Sequence, residues 1–132
     1  MTGDNVKKNI KEECERGDEC LRAAAYLLDG HFFNDAVSRS YYAAYHYARA
    51  LLLTKELEPK SHRGLIQMVG LHFVKTGLIA DDCANHLGHL ESFRGLSDYN
   101  TNTSFDAEQS ASELARANTF IEAVKKLLPA VN

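Results

Sequence analysis

Apolar residues recur at steps of three and four along most of the chain, in segments that end at Gly, Pro or polar clusters. The first segment covers residues around 5–29 and stops at Gly30, a residue that often follows the last turn of a helix. Gly17 and Asp18 interrupt the middle of this segment and weaken its helical tendency. The pattern predicts one long helix with a weak centre.

The second segment contains neither Gly nor Pro and is the longest without interruption. Asn34 or Asp35 can cap its start, and it runs to about Glu56, shortly before Pro59. This segment predicts a second helix that ends because the proline cannot continue it.

Two further helices are predicted in the middle of the chain. Residues 60–77 begin near Ser61, a natural N-cap, and end at Gly77, a typical residue after a helix. Asp81 and the aspartate after it suit the first turn of a fourth helix, because carboxylates stabilise the positive end of the helix dipole. That helix is expected to run to about Ser97.

A polar loop over residues 100–104 precedes the last helix, which is expected to begin near Thr103 or Ser104. Its predicted inward face is Ala107, Ala111, Leu114, Asn118, Ile121, Val124 or Lys125, and Leu128. No strand-like alternation competes with these patterns. The fold class is therefore predicted to be all-α, an antiparallel up-down bundle of four to five helices in a single domain of residues 1–132.

The second helix carries four of the six tyrosines of the chain. One side of its helical wheel carries mostly small residues and is predicted to face the core. These residues are Ala36, Ser40, Ala43, Ala44, Tyr47, Ala50 and Leu51. Arg39, Tyr42 and His46 lie on one flank, where Tyr42 and His46 are either satisfied core groups or ligand contacts. A helix that is apolar or aromatic on several sides is usually enclosed, so we expect a homodimer.

Arg94 interrupts the apolar stripe of the fourth helix. That stripe is set by Cys83, Leu87 and Leu90, and the next step of four falls on Arg94. Its guanidinium can pair with Asp98 one turn later, or it can receive a phosphate or another anion with two hydrogen bonds. The sequence leaves both alternatives open.

Composition limits the classes of function. A net charge of -3 argues against broad electrostatic capture of nucleic acid, so any RNA contact should be focal. Three cysteines form no CxxC pair, no apolar run approaches a membrane span, and the N-terminus lacks a signal-peptide core, so we expect a cytoplasmic protein without membrane contact. Asp82, His86 and His89 share a helical face but lack a fourth ligand, so neither a metal nor a cofactor is expected.

Three stretches together resemble the HEPN domains, in the stand-alone branch found in bacteria and archaea. They are S38-R-S-Y-Y-A-A-Y-H-Y-A-R-A-L-L52, S61-H-R-G-L with H72-F-V-K-T-G77, and F93-R-G-L-S-D-Y99 before a terminal amphipathic helix. The resemblance covers the chain from about residue 20 onward. It implies a dimerising helical bundle that binds nucleotide or RNA, often within a toxin–antitoxin pair beside a minimal nucleotidyltransferase.

Many HEPN domains are similar to metal-independent ribonucleases, whose motif is Arg, four to six residues, then His, before the last helix. Arg94 takes the arginine place here, but no histidine follows His89. Tyr99 stands five residues after Arg94, and a phenol is a poor general base at neutral pH. Arg39 and His46 satisfy the spacing in the wrong part of the family's fold, so we interpret their match as coincidence.

Three hypotheses follow: a nucleotide- or RNA-binding module with a nucleotidyltransferase partner, a ribonuclease toxin with a degenerate site, and a structural dimeric adaptor. Arg94, Tyr99 and Asp98 are the candidate catalytic residues. The candidate ligand-binding residues are Arg94, Arg39, Tyr42 and His46. Because the expected histidine is missing, only weak ribonuclease activity is expected.

Overall fold

The computed structural model describes residues 3–99 and 102–129, so part of the predicted polar loop lies outside the described residues. The described ranges contain no β-strand and form five α-helices: α1 (Gly3–Asp29), α2 (Phe33–Leu53), α3 (His62–Val69), α4 (Asp81–Tyr99) and α5 (Ala107–Lys125). A π-helical segment, Gly70–Val74, continues from α3. The predicted all-α bundle is confirmed.

The central helix is α2, which packs against α1, α4 and α5. All seven residues of its predicted small side are buried, which confirms that prediction. Tyr47 lies over α1 at Gly17, where an added Cβ would be 2.5 Å from the Tyr47 ring. The Tyr47 hydroxyl also donates a hydrogen bond to Asp18 at 2.5 Å. The residues expected to weaken α1 therefore join it to α2.

The N-terminus of α2 differs from the sequence-based expectation. Phe32 is the N-cap and makes no side-chain cap, so the prediction that Asn34 or Asp35 caps the helix is wrong. The Asn34 amide instead donates to the Thr103 carbonyl and accepts from the Phe105 amide, both at 2.9 Å. A side chain suited to capping thus holds the segment before α5. By contrast, Ser61 caps α3 as predicted, accepting from the Gly64 amide.

The last helix begins later and in a different phase than predicted. Asp106 and Gln109 form a capping box, and α5 starts at Ala107 because the preceding segment is held extended by Asn34. The buried face is Ser110, Glu113, Ala117, Phe120, Ile121 and Val124. The predicted inward face is therefore wrong at Ala107, Ala111 and Asn118, which are exposed. Phe120 belongs to this buried face, and the same face carries the carboxylate of Glu113 into the interior.

Among the described residues, none of the helices combines the length and the apolar character that crossing a bilayer requires.

Candidate functional site

Arg94 lies where α4 meets α2, and its side chain is only 4% exposed. Its guanidinium carbon is 5.2 Å from the centroid of the Tyr41 ring, 5.9 Å from Tyr42 and 5.5 Å from Tyr99. Three aromatic faces stabilise a buried cation by cation–π attraction. Arg94 therefore points inward, as its helical phase predicts, but it is enclosed by rings.

Carboxylates already neutralise this guanidinium. Its Nη2 donates to Glu91 at 2.5 Å, its Nη1 donates to the Tyr99 hydroxyl at 3.3 Å, and Asp98 is 3.7 Å away. Burial acts to lower the pKa of Arg94, but the bond to Glu91 and the neighbouring groups raise it above its ordinary value, so the side chain stays charged. The three candidate catalytic residues are brought together, and Arg94 is paired within the chain, with Asp98 as the sequence allowed and more closely with Glu91.

The pair between Arg94 and Glu91 is held by a single hydrogen bond. Within the described part of the chain, Arg94 Nε and Glu91 Oε2 have no hydrogen-bond partner and are sealed from solvent. A bidentate arrangement would satisfy both atoms. The pair therefore stabilises charge without completing the fork geometry that an arginine can offer.

A second cluster, which sequence reasoning missed, surrounds His62 at the start of α3. The rings of Tyr41, Tyr42, Tyr45 and His62 contact one another pairwise, with centroids 5.0 to 6.3 Å apart. The Tyr41 hydroxyl is 2.6 Å from His62 Nδ1. Burial, together with the nearby Glu91 carboxylate, raises the pKa of Tyr41 far above its ordinary value, so Tyr41 remains a neutral phenol.

Beside this cluster a cleft of about 640 Å³ opens between α1, α2 and the C-terminal end of α4. Its lining is Arg16, Glu19, Cys20, Leu27, Asp35, Ser38, Arg39, Tyr42, His46 and Asp98. Three of the four predicted ligand-binding residues therefore share one cavity. Arg94 is the exception, because it lies behind the ring of Tyr42, and Tyr99 is 79% exposed outside the cleft.

The floor of the cleft is a chain of hydrogen bonds between α2 and α4. Ser38 donates a short hydrogen bond to Asp98 and lies 3.3 Å from the hydroxyl of Ser97. Ser97 in turn donates to the Asn34 carbonyl at 2.7 Å. Asp98 is thus held between Ser38 and Arg94.

His46 is oriented by a carboxylate from another helix. Its Nδ1 is 2.8 Å from Glu13 Oε2, and Arg49 Nε donates to the other Glu13 oxygen at 3.3 Å. Burial acts to raise the pKa of Glu13, but the hydrogen bond from His46 and the charge of Arg49 hold it below its ordinary value. Glu13 is therefore an ionised acceptor at neutral pH. Sequence reasoning missed it because nothing in α1 signals a contact with α2.

The two histidines of the polar face on α4 have other partners. His89 Nδ1 is 3.0 Å from the buried Glu113 carboxylate, and His86 Nδ1 accepts from Arg116 at 3.4 Å. Over residues 3–99 and 102–129, no three metal-capable side chains are grouped closely enough to hold an ion.

Comparison with known proteins places this architecture in a family. The model of the HEPN domain matches residues 10–127. The chain is 39% identical to "Putative toxin MJ0605" of Methanocaldococcus jannaschii over 93% of this chain and 94% of that protein. It is 32% identical to a UPF0332 protein of Thermotoga maritima over 94% and 95% of the two chains. "Putative toxin MJ0142" of Methanocaldococcus jannaschii is 29% identical over 96% of this chain and 86% of its own length.

The helical bundle, the match of the family model to residues 10–127, and the 39% identity to a relative covered over 94% of its length agree with one another. The chain belongs to the HEPN domain family.

Proposed function

We propose that this chain is the HEPN component of a toxin–antitoxin pair, and that it binds a nucleotide or a short segment of RNA in the cleft between α1, α2 and α4. Two relatives are named as toxins, which supports the toxin-like role. The nucleotide ligand and a nucleotidyltransferase partner rest on the family resemblance.

The observation that carries the binding proposal is the convergence of Arg39, Tyr42 and His46 on one cavity. Arg16 reaches the same cavity from α1, so two guanidinium groups are available to a phosphate. Arg39 also lies 5.6 Å over the ring of Tyr42, which leaves its outer face available for a nucleobase to stack on. A cavity of this volume suits a small ligand or one or two nucleotides.

Charge balance limits the length of the ligand. Glu19, Asp35 and Asp98 line the cleft together with its two arginines, so the cavity is not a uniformly basic groove. The net charge of -3 also disfavours binding along a long phosphate backbone. We therefore expect one or two phosphate contacts, and a logarithmic salt slope for single-stranded RNA no steeper than about -1.4.

Arg94 acts in this proposal from behind the cleft. Because Glu91 already pairs with its guanidinium, its contribution is to hold Tyr42 by a cation–π contact and to hold Asp98 by charge. We therefore expect binding to depend on Arg94 indirectly, because Arg94 fixes the positions of side chains that line the cleft.

The test is a titration of mononucleotides and short single-stranded RNAs against wild type, Arg39→Ala and Arg63→Ala. Arg63 is exposed on α3 outside the cleft, so its substitution removes the same charge without touching the site. We expect weaker binding for Arg39→Ala and unchanged binding for Arg63→Ala. Equal affinity in all three proteins, or equal losses in both variants, would contradict a ligand in this cleft.

The partners form a separate part of the proposal. The single chain already buries Tyr41 and Tyr47, so the aromatic surface left for a homodimer to cover is the partly exposed Tyr45 and the exposed Tyr99. Sedimentation at micromolar concentration measures the dimer, and co-purification with a co-expressed minimal nucleotidyltransferase measures the pair. Partner binding without any nucleotide or RNA binding would favour the structural adaptor.

A further inference from the structure

Asp35 and Arg39 are spaced for an ion pair on α2 but do not form one. Residues four apart are neighbours on a helix surface, and an aspartate before an arginine at this spacing commonly pairs with it. The Arg39 guanidinium instead lies 5.6 Å over the ring of Tyr42. The residues that the structure describes give the Asp35 carboxylate neither a hydrogen bond nor an ion pair. The cleft therefore keeps an unpaired acceptor beside a stacked cation.

The other two carboxylates of the cleft are placed differently. Asp98 is already paired with a serine and an arginine. Glu19 lies on α1, which forms another wall of the cleft. Of the three, only Asp35 lies on the same face of α2 as Arg39 and Tyr42, because residues four and seven apart stack on successive turns. Asp35 is therefore the acceptor next to the stacked guanidinium.

The chemistry of a carboxylate selects among the bases of RNA. An ionised carboxylate only accepts hydrogen bonds, through two oxygens that lie side by side. The Watson–Crick edge of guanine presents two adjacent donors, N1–H and the N2 amino group, which match both oxygens. Adenine and cytosine present one amino donor beside a ring nitrogen that accepts, and uracil presents one N–H between two carbonyl groups. Guanine alone satisfies both carboxylate oxygens without placing a lone pair against them.

We infer that this cleft selects guanine, with the base stacked on Arg39 and its N1–H and N2 amino groups donating to Asp35. The inference deepens the proposed function and rests on it, because it names the base of the nucleotide or RNA segment bound there. Arg16, on the α1 wall, is then the guanidinium left for the phosphate. A base that lacks one of the two donors leaves a carboxylate oxygen covered without a partner, and this loss is the origin of the selectivity.

The experiment is a titration of the full chain with GMP, AMP, CMP and UMP, and with IMP, which keeps the N1–H of guanine but lacks its amino group. We expect GMP to bind about 5- to 150-fold more tightly than AMP, CMP and UMP, the range for one bidentate contact to a base, and IMP to fall between. Equal affinity for all five overturns the inference and leaves the proposed function standing. Absence of binding by every nucleotide and RNA overturns the proposed function, and the inference with it.

Asp35→Asn tests the residue that reads the base. Its carboxamide donates where the amino group of guanine also donates, but it matches the N1–H and O2 of xanthine. We therefore expect Asp35→Asn to lose the preference for GMP over AMP and to bind XMP more tightly than wild type does. A merely structural role of Asp35 would weaken the binding of all nucleotides alike and would bring no gain for XMP, and that result would overturn the assignment.

Asp81→Asn is the matched control. Asp81 lies in the first turn of α4, as Asp35 lies in the first turn of α2, and it is outside the cleft. Its substitution removes the same charge from the same position of a helix, so the nucleotide preference should stay that of wild type. Equal changes in the two variants would overturn the role of Asp35. A preference for GMP that survives Asp35→Asn, or that is lost only in Glu19→Gln, would do the same.

Guanine can come from a free nucleotide or from a single-stranded RNA, and both present the same Watson–Crick edge. A uridine pentanucleotide with one central guanosine, and the same RNA with adenosine in its place, distinguish these sources. Tighter binding of the guanosine RNA than of GMP identifies RNA as the ligand, and tighter binding of GMP identifies the free nucleotide. In either case the guanosine RNA should bind more tightly than the adenosine RNA, and equal measurable affinity for the two RNAs overturns the inference.

Discussion

Replacing Gly17 by Ala should destabilise the protein, although the same change inside a helix usually stabilises it. The new Cβ would lie 2.5 Å and 2.7 Å from two carbons of the Tyr47 ring and 3.2 Å from the Ala43 carbonyl oxygen. The ring cannot swing away freely, because its hydroxyl is bonded to Asp18. One methyl group therefore forces α1 and α2 apart or breaks that bond.

The opposing contributions have known sizes. Alanine is favoured over glycine in a helix interior by about 1 kcal/mol. Overpacking a core typically costs about 1–3 kcal/mol, and loss of a hydrogen bond to a charged group costs about 1.5–3 kcal/mol. Either cost exceeds the gain from alanine over most of its range, so we expect Gly17→Ala to lower the free energy of unfolding by about 0.5–2 kcal/mol.

Urea denaturation followed by circular dichroism measures this difference. Gly88→Ala on α4 is the matched control, because no heavy atom lies within 4 Å of the added Cβ. It should raise the free energy of unfolding by up to about 1 kcal/mol. If Gly17→Ala proved as stable as wild type, the close approach of α1 to Tyr47 would not be a constraint.

Three further predictions concern stability. Asn34→Ala loses two hydrogen bonds to the segment before α5, which should lower the free energy of unfolding by about 1–3 kcal/mol, and denaturation midpoints unchanged from wild type would refute this. The pKa of Glu13 is lowered from 4.5 in the folded protein. The stability that ionised Glu13 contributes is therefore present above pH 4.5 and is lost as the pH falls through the pKa of the folded state. The free energy of unfolding, measured between pH 6 and pH 3, should depend less on pH in Glu13→Gln than in wild type. The pKa of Tyr47 is raised from 10.0 by burial and the hydrogen bond to Asp18. The stability that the neutral phenol contributes is therefore present below pH 10 and is lost as the pH rises through the pKa of the folded state. Tyr47→Phe should be less stable than wild type at pH 8 and should lose less stability between pH 8 and pH 11, as measured by unfolding at both pH values.

Local periodicity predicted the helices and the buried side of α2, because burial of that side repeats with the period of the helix itself. The same reasoning failed where a distant side chain sets the geometry. The start of α5 depends on the contact between Asn34 and Phe105, and its buried phase includes Glu113, a charged residue that a hydrophobic pattern assigns to the surface.

The candidate site divides in the same way. Arg94 and Asp98 meet because residues four apart on one helix are neighbours, so their proximity follows from the sequence. Tyr99 is five residues from Arg94, at the last residue of α4, and its contact with the guanidinium does not follow from helical spacing. Glu13 contacts His46 from another helix, and His62 reaches Tyr41 from the start of α3. No spacing within one segment encodes such contacts, which depend on how helices pack.

Asn34 also bears on the order in which the fold assembles. Its two bonds join residues that are 69 and 71 positions apart in the chain. Contacts of such long sequence separation carry a large loop-closure entropy, and they form late in folding unless strong local structure brings their ends together. We expect the end of the bundle that holds the cleft floor to gain its protection from hydrogen exchange last and to open first in the native state, so a ligand in the cleft would slow exchange most strongly at residues 97–99 and 103–105.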